Sequence, residues 1–113
     1  MDIEQIVMNI IIYSGDARSY LYEALRNVKK GNYERIDELI DNANEAIGKA
    51  HDIQTELLQQ EAEGKPLNVS ILFVHSQDHL MTTISEKNMI LEIIELRKVV
   101  NSLLNKDELN KKC

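Results

Sequence analysis

Apolar residues recur at spacings of three and four along most of the chain, a pattern typical of helices that each bury one face. Three such stripes predict helices over about residues 2–30, 32–63 and from 68 or 70 to 105. The first helix ends where Gly31 can adopt a left-handed conformation. The second ends at Gly64-Lys65-Pro66, a segment that cannot continue a helix.

Three long helices with short connections predict an all-α protomer, an antiparallel three-helix bundle. Residues 1–105 then form a single domain, and residues 106–113 form a frayed polar tail. The four glycines and the single proline are too few for a turn-rich β fold. Gly15 lies inside the first helix, where it marks either close helix packing or a kink.

The third helix differs from the other two because it is apolar on every side. Residues 71–74 are all apolar and point in four directions. The opposite side continues with further apolar residues: Leu80, Met81 and Ile84. Two neighbouring helices leave one face of the third exposed, so we expect other copies of the chain to cover it in a homo-oligomer.

Charge and cysteine content narrow the range of partners and of compartments. The net charge of -6 makes nucleic acid and anionic membranes poor partners, whereas a basic protein would be attracted. The single cysteine, Cys113, rules out an intramolecular disulfide and fits a reducing cytoplasm. No apolar run approaches the length of a membrane span. We therefore expect a soluble, unprocessed cytoplasmic protein.

A polar cluster interrupts the third helix. On a helical projection, His75, Asp78, His79 and Thr82 fall within about 100° of arc. Further along the helix the same stripe is apolar, with Met89, Ile93, Leu96 and Val100. Burying an unpaired aspartate costs several kcal/mol, so the cluster needs hydrogen-bonding partners, a cation or a proton, or it marks a functional site.

Histidines in such a cluster suit metal ligation, acid–base catalysis or attack on phosphorus. A His-x-x-x-His pair can bind zinc, but Ser76 stands where a zinc protease has glutamate. The chain also lacks a glycine-rich phosphate loop and a Gly-x-Ser-x-Gly nucleophile elbow. Alternatively, His75 and His79 are interface histidines, and Asp78 fixes the register of an oligomer. His51 is isolated among charged residues, which favours a structural role.

The segment Ser70-Ile71-Leu72-Phe73-Val74-His75-Ser76-Gln77-Asp78-His79-Leu80-Met81-Thr82 closely resembles the signature around the phosphorylated histidine of lactose/cellobiose-type enzyme IIA proteins. These belong to the bacterial sugar phosphotransferase system. Residues 14–19 with 23–25, and residues 50–57 with 61–64, resemble that family's stretches in the first two helices. One departure is Ser76, where the family usually has alanine, a small-for-small exchange.

The resemblance implies a homotrimer that carries phosphate on His75. It implies that HPr donates the phosphate and that a cysteine of enzyme IIB accepts it, for uptake of a β-linked disaccharide of the lactose, cellobiose or chitobiose class. Asp78 matches the family's aspartate on the trimer axis, where a divalent metal ion, Mg²⁺, is associated with the site. Gln77 and His79 match the same motif as further site residues. The resemblance implies no organic cofactor.

Two other interpretations stay open. A histidine phosphotransfer domain of two-component signalling is also helical and also carries phosphate on a histidine. In such domains that histidine begins a His-x-x-Lys-Gly pattern, whereas His75 is followed by Ser76, Gln77, Asp78 and His79. The other alternative is a structural or metal-holding helical oligomer without transfer chemistry. Incubation with phosphoenolpyruvate, enzyme I and HPr separates this alternative from a phosphocarrier.

Overall fold

The computed structural model describes residues 2–65 and 67–111, which form three α-helices and no strand. The helices are α1 (Ile3–Lys29), α2 (Ile36–Ala62) and α3 (Ile71–Lys111). Consecutive helices run antiparallel, so α1 and α3 are parallel, in a rod of 72 × 21 × 17 Å. The predicted all-α three-helix architecture is confirmed. No helix in the described ranges is both long and apolar enough to cross a bilayer.

The helix ends follow from local sequence. Asp2 caps α1, since its side chain accepts a hydrogen bond of 3.3 Å from the Gln5 backbone N–H. At the start of α3 the Ser70 hydroxyl accepts one of 3.1 Å from the Phe73 N–H, as the sequence predicts for a cap at this position. Gly31 closes α1 with φ of 78°, a left-handed conformation that suits a residue without Cβ.

Two helix boundaries differ from their prediction. The second helix begins at Ile36 and not near Asn32, because the Asn32 N–H bonds back to the Asn27 carbonyl at 2.9 Å and belongs to the end of α1. The third helix continues past residue 105 to Lys111, through residues that include no glycine or proline. Cys113, the predicted free cysteine, lies outside the described residues.

α1 is the central helix, since it packs closely against both α2 and α3, which contact each other little. The buried apolar residues form two clusters along its length. Five buried residues of α3 face the other helices, two of them polar: Ser76, Leu80, Thr83, Ile90 and Ile94. The opposite face of α3 is therefore turned away from the bundle.

That outer face of α3 is apolar and exposed in the protomer. We refer to five residues, which are 37–64 % exposed, as the outer apolar face: Met89, Ile93, Leu96, Val100 and Leu103. An exposed apolar patch along one helix marks an interaction surface. The protomer alone therefore does not cover the third helix on every side, as the sequence predicts.

Candidate functional site

The predicted polar cluster lies on the N-terminal third of α3, which the Ser70 cap begins. His75 and His79 are four residues apart, so the helix brings their rings one above the other. Their ring centroids are 5.9 Å apart, and the ring planes differ by only 4°. His75 is exposed and His79 is half-buried. The structure thus brings together one accessible imidazole and one sheltered imidazole.

Arg18 reaches from α1 to hold the sheltered ring. Its Nη1 lies 3.1 Å from Nδ1 of His79, and its Nη2 donates a hydrogen bond of 3.2 Å to the Thr82 hydroxyl. Its Nε forms an ion pair of 2.9 Å with Glu86. Residues 79, 82 and 86 lie on one face of α3, so a single guanidinium binds three successive positions of that face.

The surroundings of His79 favour its neutral form. Burial and the positive charge of Arg18 lower its pKa below the ordinary value of 6.5. His75 acts in the same direction, whereas the carboxylates of Glu86 and Asp78 oppose the shift. The position of Arg18 also disfavours zinc ligation by the histidine pair, since the guanidinium occupies Nδ1 of His79.

Gln77 connects the site to α2. The Gln54 side-chain amide donates a hydrogen bond to Oε1 of Gln77. Because this carbonyl oxygen is already bonded, the NH₂ group of Gln77 is directed elsewhere, with a long contact of 3.5 Å to the Ser76 hydroxyl. Ser76 is fully buried, and its hydroxyl donates to the Phe73 carbonyl at 2.6 Å. The hydroxyl that distinguishes Ser76 from alanine is therefore satisfied.

Asp78 is exposed in the protomer, so a single chain does not bury this carboxylate. Met89 and Leu96 lie about three and about five turns further along α3, which puts Asp78 in line with the outer apolar face. Among the described residues, no three histidine, cysteine, aspartate or glutamate side chains come close enough to hold a metal ion.

Sequence reasoning missed three residues that build the site, Arg18, Gln54 and Glu86, and considered Gly15 only as a mark of close packing or a kink. Gly15, Arg18 and Gln54 lie in the segments that resemble the family, but periodicity gave them no role in the site. Gly15 is close to the site, since a Cβ atom built on it would lie 4.0 Å from Nε2 of His79. This contact supports close packing over a kink. His51 is exposed on α2, outside this set of contacts.

Comparisons with known proteins agree with the motif. Residues 5–98 match the family model described as "PTS system, Lactose/Cellobiose specific IIA subunit". The chain is similar to the lactose-specific EIIA component of Staphylococcus epidermidis, with 43% identity over 97 residues, which are 86% of this chain and 93% of that protein.

Solved structures give the same result at the level of the fold. The structure of the cellobiose-specific enzyme IIA from Bacillus anthracis is 43% identical, with a TM-score of 0.85, and covers 90% of this chain and 94% of that one. The IIA(chitobiose) chain of the Escherichia coli IIA(chitobiose)–HPr complex is 37% identical, with a TM-score of 0.78, and the match covers 89% and 98% of the two chains.

Proposed function

Because the chain belongs to the lactose/cellobiose-specific IIA subunit family of the phosphotransferase system, we propose that it accepts a phosphoryl group from HPr on His75 and donates it to a cysteine of enzyme IIB. One observation carries the choice of His75, namely that its imidazole is exposed within the signature segment. By contrast, Nδ1 of His79 is held by Arg18, and His51 lies on another helix.

The chemistry requires little beyond a positioned neutral imidazole. A ring nitrogen of His75 supplies a lone pair and forms the N–P bond while the bond from phosphorus to the donor breaks, and the other ring nitrogen keeps its proton. In the second step a thiolate of enzyme IIB forms the S–P bond, and the lone pair returns to His75. Such loose transfer depends mainly on positioning and charge stabilisation.

Two neighbours are suited to stabilise the phosphorylated ring. The phosphoryl group adds nearly two negative charges, which hydrogen-bond donors offset. Gln77 faces α2, where Gln54 binds its carbonyl oxygen, so its NH₂ group would reach a phosphorylated ring only on a neighbouring chain. His79 offers a ring N–H beside the acceptor ring. In this proposal Gln77 and His79 orient and stabilise the phosphoryl group and form no bond to phosphorus.

The names of the relatives support the partners and the sugar class. One similar structure is a complex with HPr, which supports HPr as the donor. The relatives are named for lactose, cellobiose and N,N'-diacetylchitobiose, so we assign the chain to uptake of a β-linked disaccharide. The net charge of -6 favours a basic partner. The transfer steps take place in the cytoplasm.

The outer apolar face supports a homotrimer as the working form. A line of apolar side chains with Asp78 near its N-terminal end suits a shared interface around an axis. Three symmetric copies would bring three Asp78 carboxylates together, and oxygen ligands of this kind suit Mg²⁺. The metal would offset the repulsion between those carboxylates, a structural role separate from the transfer step.

Labelling tests the proposed acceptor. Incubation with phosphoenolpyruvate, enzyme I and HPr should add one acid-labile phosphoryl group per chain, measured by intact mass at neutral pH. His75→Ala should lose the label and keep its helicity in circular dichroism, because the side chain is exposed. His51→Ala is the matched control and should remain labelled.

Full labelling of His75→Ala would place the acceptor elsewhere. Failure to label the wild type, in a mixture that labels the Escherichia coli IIA(chitobiose) protein, would favour a structural oligomer without transfer chemistry.

A further inference from the structure

The contacts of Arg18 indicate which ring nitrogen of His79 carries the proton. A guanidinium has five N–H donors and no acceptor. At 3.1 Å from Nη1, Nδ1 of His79 must therefore accept the hydrogen bond through its lone pair. The ring proton then resides on Nε2, and His79 is the Nε2–H tautomer.

The guanidinium is itself held in place. Its other two contacts, to Glu86 at 2.9 Å and to the Thr82 hydroxyl at 3.2 Å, fix both its position and its plane. The Thr82 hydroxyl in turn lies 2.8 Å from the Asp78 carbonyl, to which it donates. All three of these contacts of the guanidinium therefore end on α3, within two turns of His79.

The space beside the ring is consistent with a free Nε2–H. Nε2 faces Gly15, whose missing side chain leaves this edge of the imidazole uncovered. The donor is thus not blocked by a side chain at position 15.

We infer that Arg18 is a positioning residue, which sets the tautomer of His79 and holds its ring parallel to the ring of His75. The tautomer assignment stands on the contacts alone. Its consequence for transfer rests on the proposed function, because it requires His75 to carry the phosphoryl group. Arg18 then acts through His79, which presents a single N–H donor beside the acceptor.

Nitrogen NMR tests the tautomer without any transfer reaction. At about pH 8, above the ordinary histidine pKa of about 6.5, ¹⁵N-histidine spectra should show His79 protonated on Nε2 in the wild type. Arg18→Met should shift both nitrogen resonances towards a mixture of tautomers. Arg18→Lys should behave similarly, because an ammonium group keeps the charge but not the planar fork. Arg26→Met is the matched control, since Arg26 is an exposed arginine of the same helix, and should resemble the wild type.

Transfer kinetics test the consequence. Arg18→Met should lower kcat for phosphorylation by phospho-HPr on the order of tenfold, as expected for loss of a charged hydrogen bond that positions a neighbour. The KM for phospho-HPr should change less than twofold. Arg26→Met removes an equal charge and should leave kcat unchanged.

The NMR experiment and the kinetic experiment can each refute the inference separately. A wild-type His79 protonated on Nδ1, or tautomers identical in wild type and Arg18→Met, would refute the tautomer assignment. A changed tautomer with unchanged kcat would refute the positioning role. If Arg18→Met loses helicity, Glu86→Gln replaces it, since this variant removes only the ion pair that holds the fork. An unlabelled wild type would refute the proposed function and leave the NMR result standing.

Discussion

Two imidazoles one helical turn apart on α3 have opposite environments. His75 is exposed, whereas His79 is half-buried and bonded to Arg18. A nucleophile has to reach its substrate, and a supporting donor has to stay in place. The difference in environment therefore supports the two proposed roles, although both residues belong to the same motif.

The same logic predicts the effect of a charge at position 77. Gln77→Glu replaces a donor amide with a carboxylate of nearly the same shape, so in the proposed trimer it should repel the phosphoryl group on His75 of a neighbouring chain. We expect roughly a tenfold or greater loss in the rate of labelling, about the effect of two like charges a few ångströms apart near a protein surface. The rate is measured by quenched-flow mixing with phospho-HPr.

Gln59→Glu is the matched control, because it adds the same charge at an exposed position of α2. It should slow labelling less than twofold. Equal rates for the two variants would mean that Gln77 does not face the phosphoryl group.

At the scale of single elements, the pattern of apolar positions predicted three helices and the start of α3. It could not locate the start of α2, because the residues after Gly31 satisfy the carbonyls at the end of α1. Nor did it identify the side of α3 that faces the bundle. The most apolar stripe is the exposed one, and the buried stripe includes Ser76 and Thr83. Hydrophobicity alone cannot identify the buried side of a helix whose exposed face is also apolar.

The site was predicted only in part for a related reason. His75, Gln77, Asp78 and His79 stand together in the sequence, so spacing and resemblance found them. Arg18 approaches from another helix, 61 residues away from His79 along the chain. Its role depends on how α1 packs against α3, which no local pattern reveals.

Substitutions at two glycines, one inside α2 and one at the end of α1, test the helix assignments. Gly48 lies inside α2, and a Cβ atom added there would meet nothing within 4 Å, so Gly48→Ala should raise the free energy of unfolding by about 1 kcal/mol. Gly31 has φ of 78°, so Gly31→Ala should lower it by about 1 kcal/mol. Urea denaturation measures both. A stabilising Gly31→Ala would contradict the left-handed end of α1.

At the scale of the whole molecule, the bundle is arranged around α1, and α3 is left with a second face. A single chain holds Arg18 and His79 together but leaves the outer apolar face and Asp78 in water. The packing of α1 against α3 therefore holds Arg18 and His79 together, and the outer apolar face suits assembly. The proposed acceptor His75 and Asp78 lie on the same side of α3 as the outer apolar face, so the proposed transfer and the proposed assembly would involve neighbouring residues.

Asp78→Leu tests the proposed trimer. If three Asp78 carboxylates meet on an axis, their repulsion and their loss of hydration oppose assembly, and leucine would extend the outer apolar face instead. We expect the variant trimer to be more stable by about 1–4 kcal/mol, measured by sedimentation equilibrium in EDTA. Added Mg²⁺ should strengthen the wild-type trimer and leave Asp78→Leu unchanged. Asp41→Leu, the same exchange at an exposed position of α2, should not alter assembly, because Asp41 is not part of the outer apolar face. A monomeric Asp78→Leu protein would contradict the placement of Asp78 on the trimer axis. At that position leucine should add apolar contacts between the chains, not separate them.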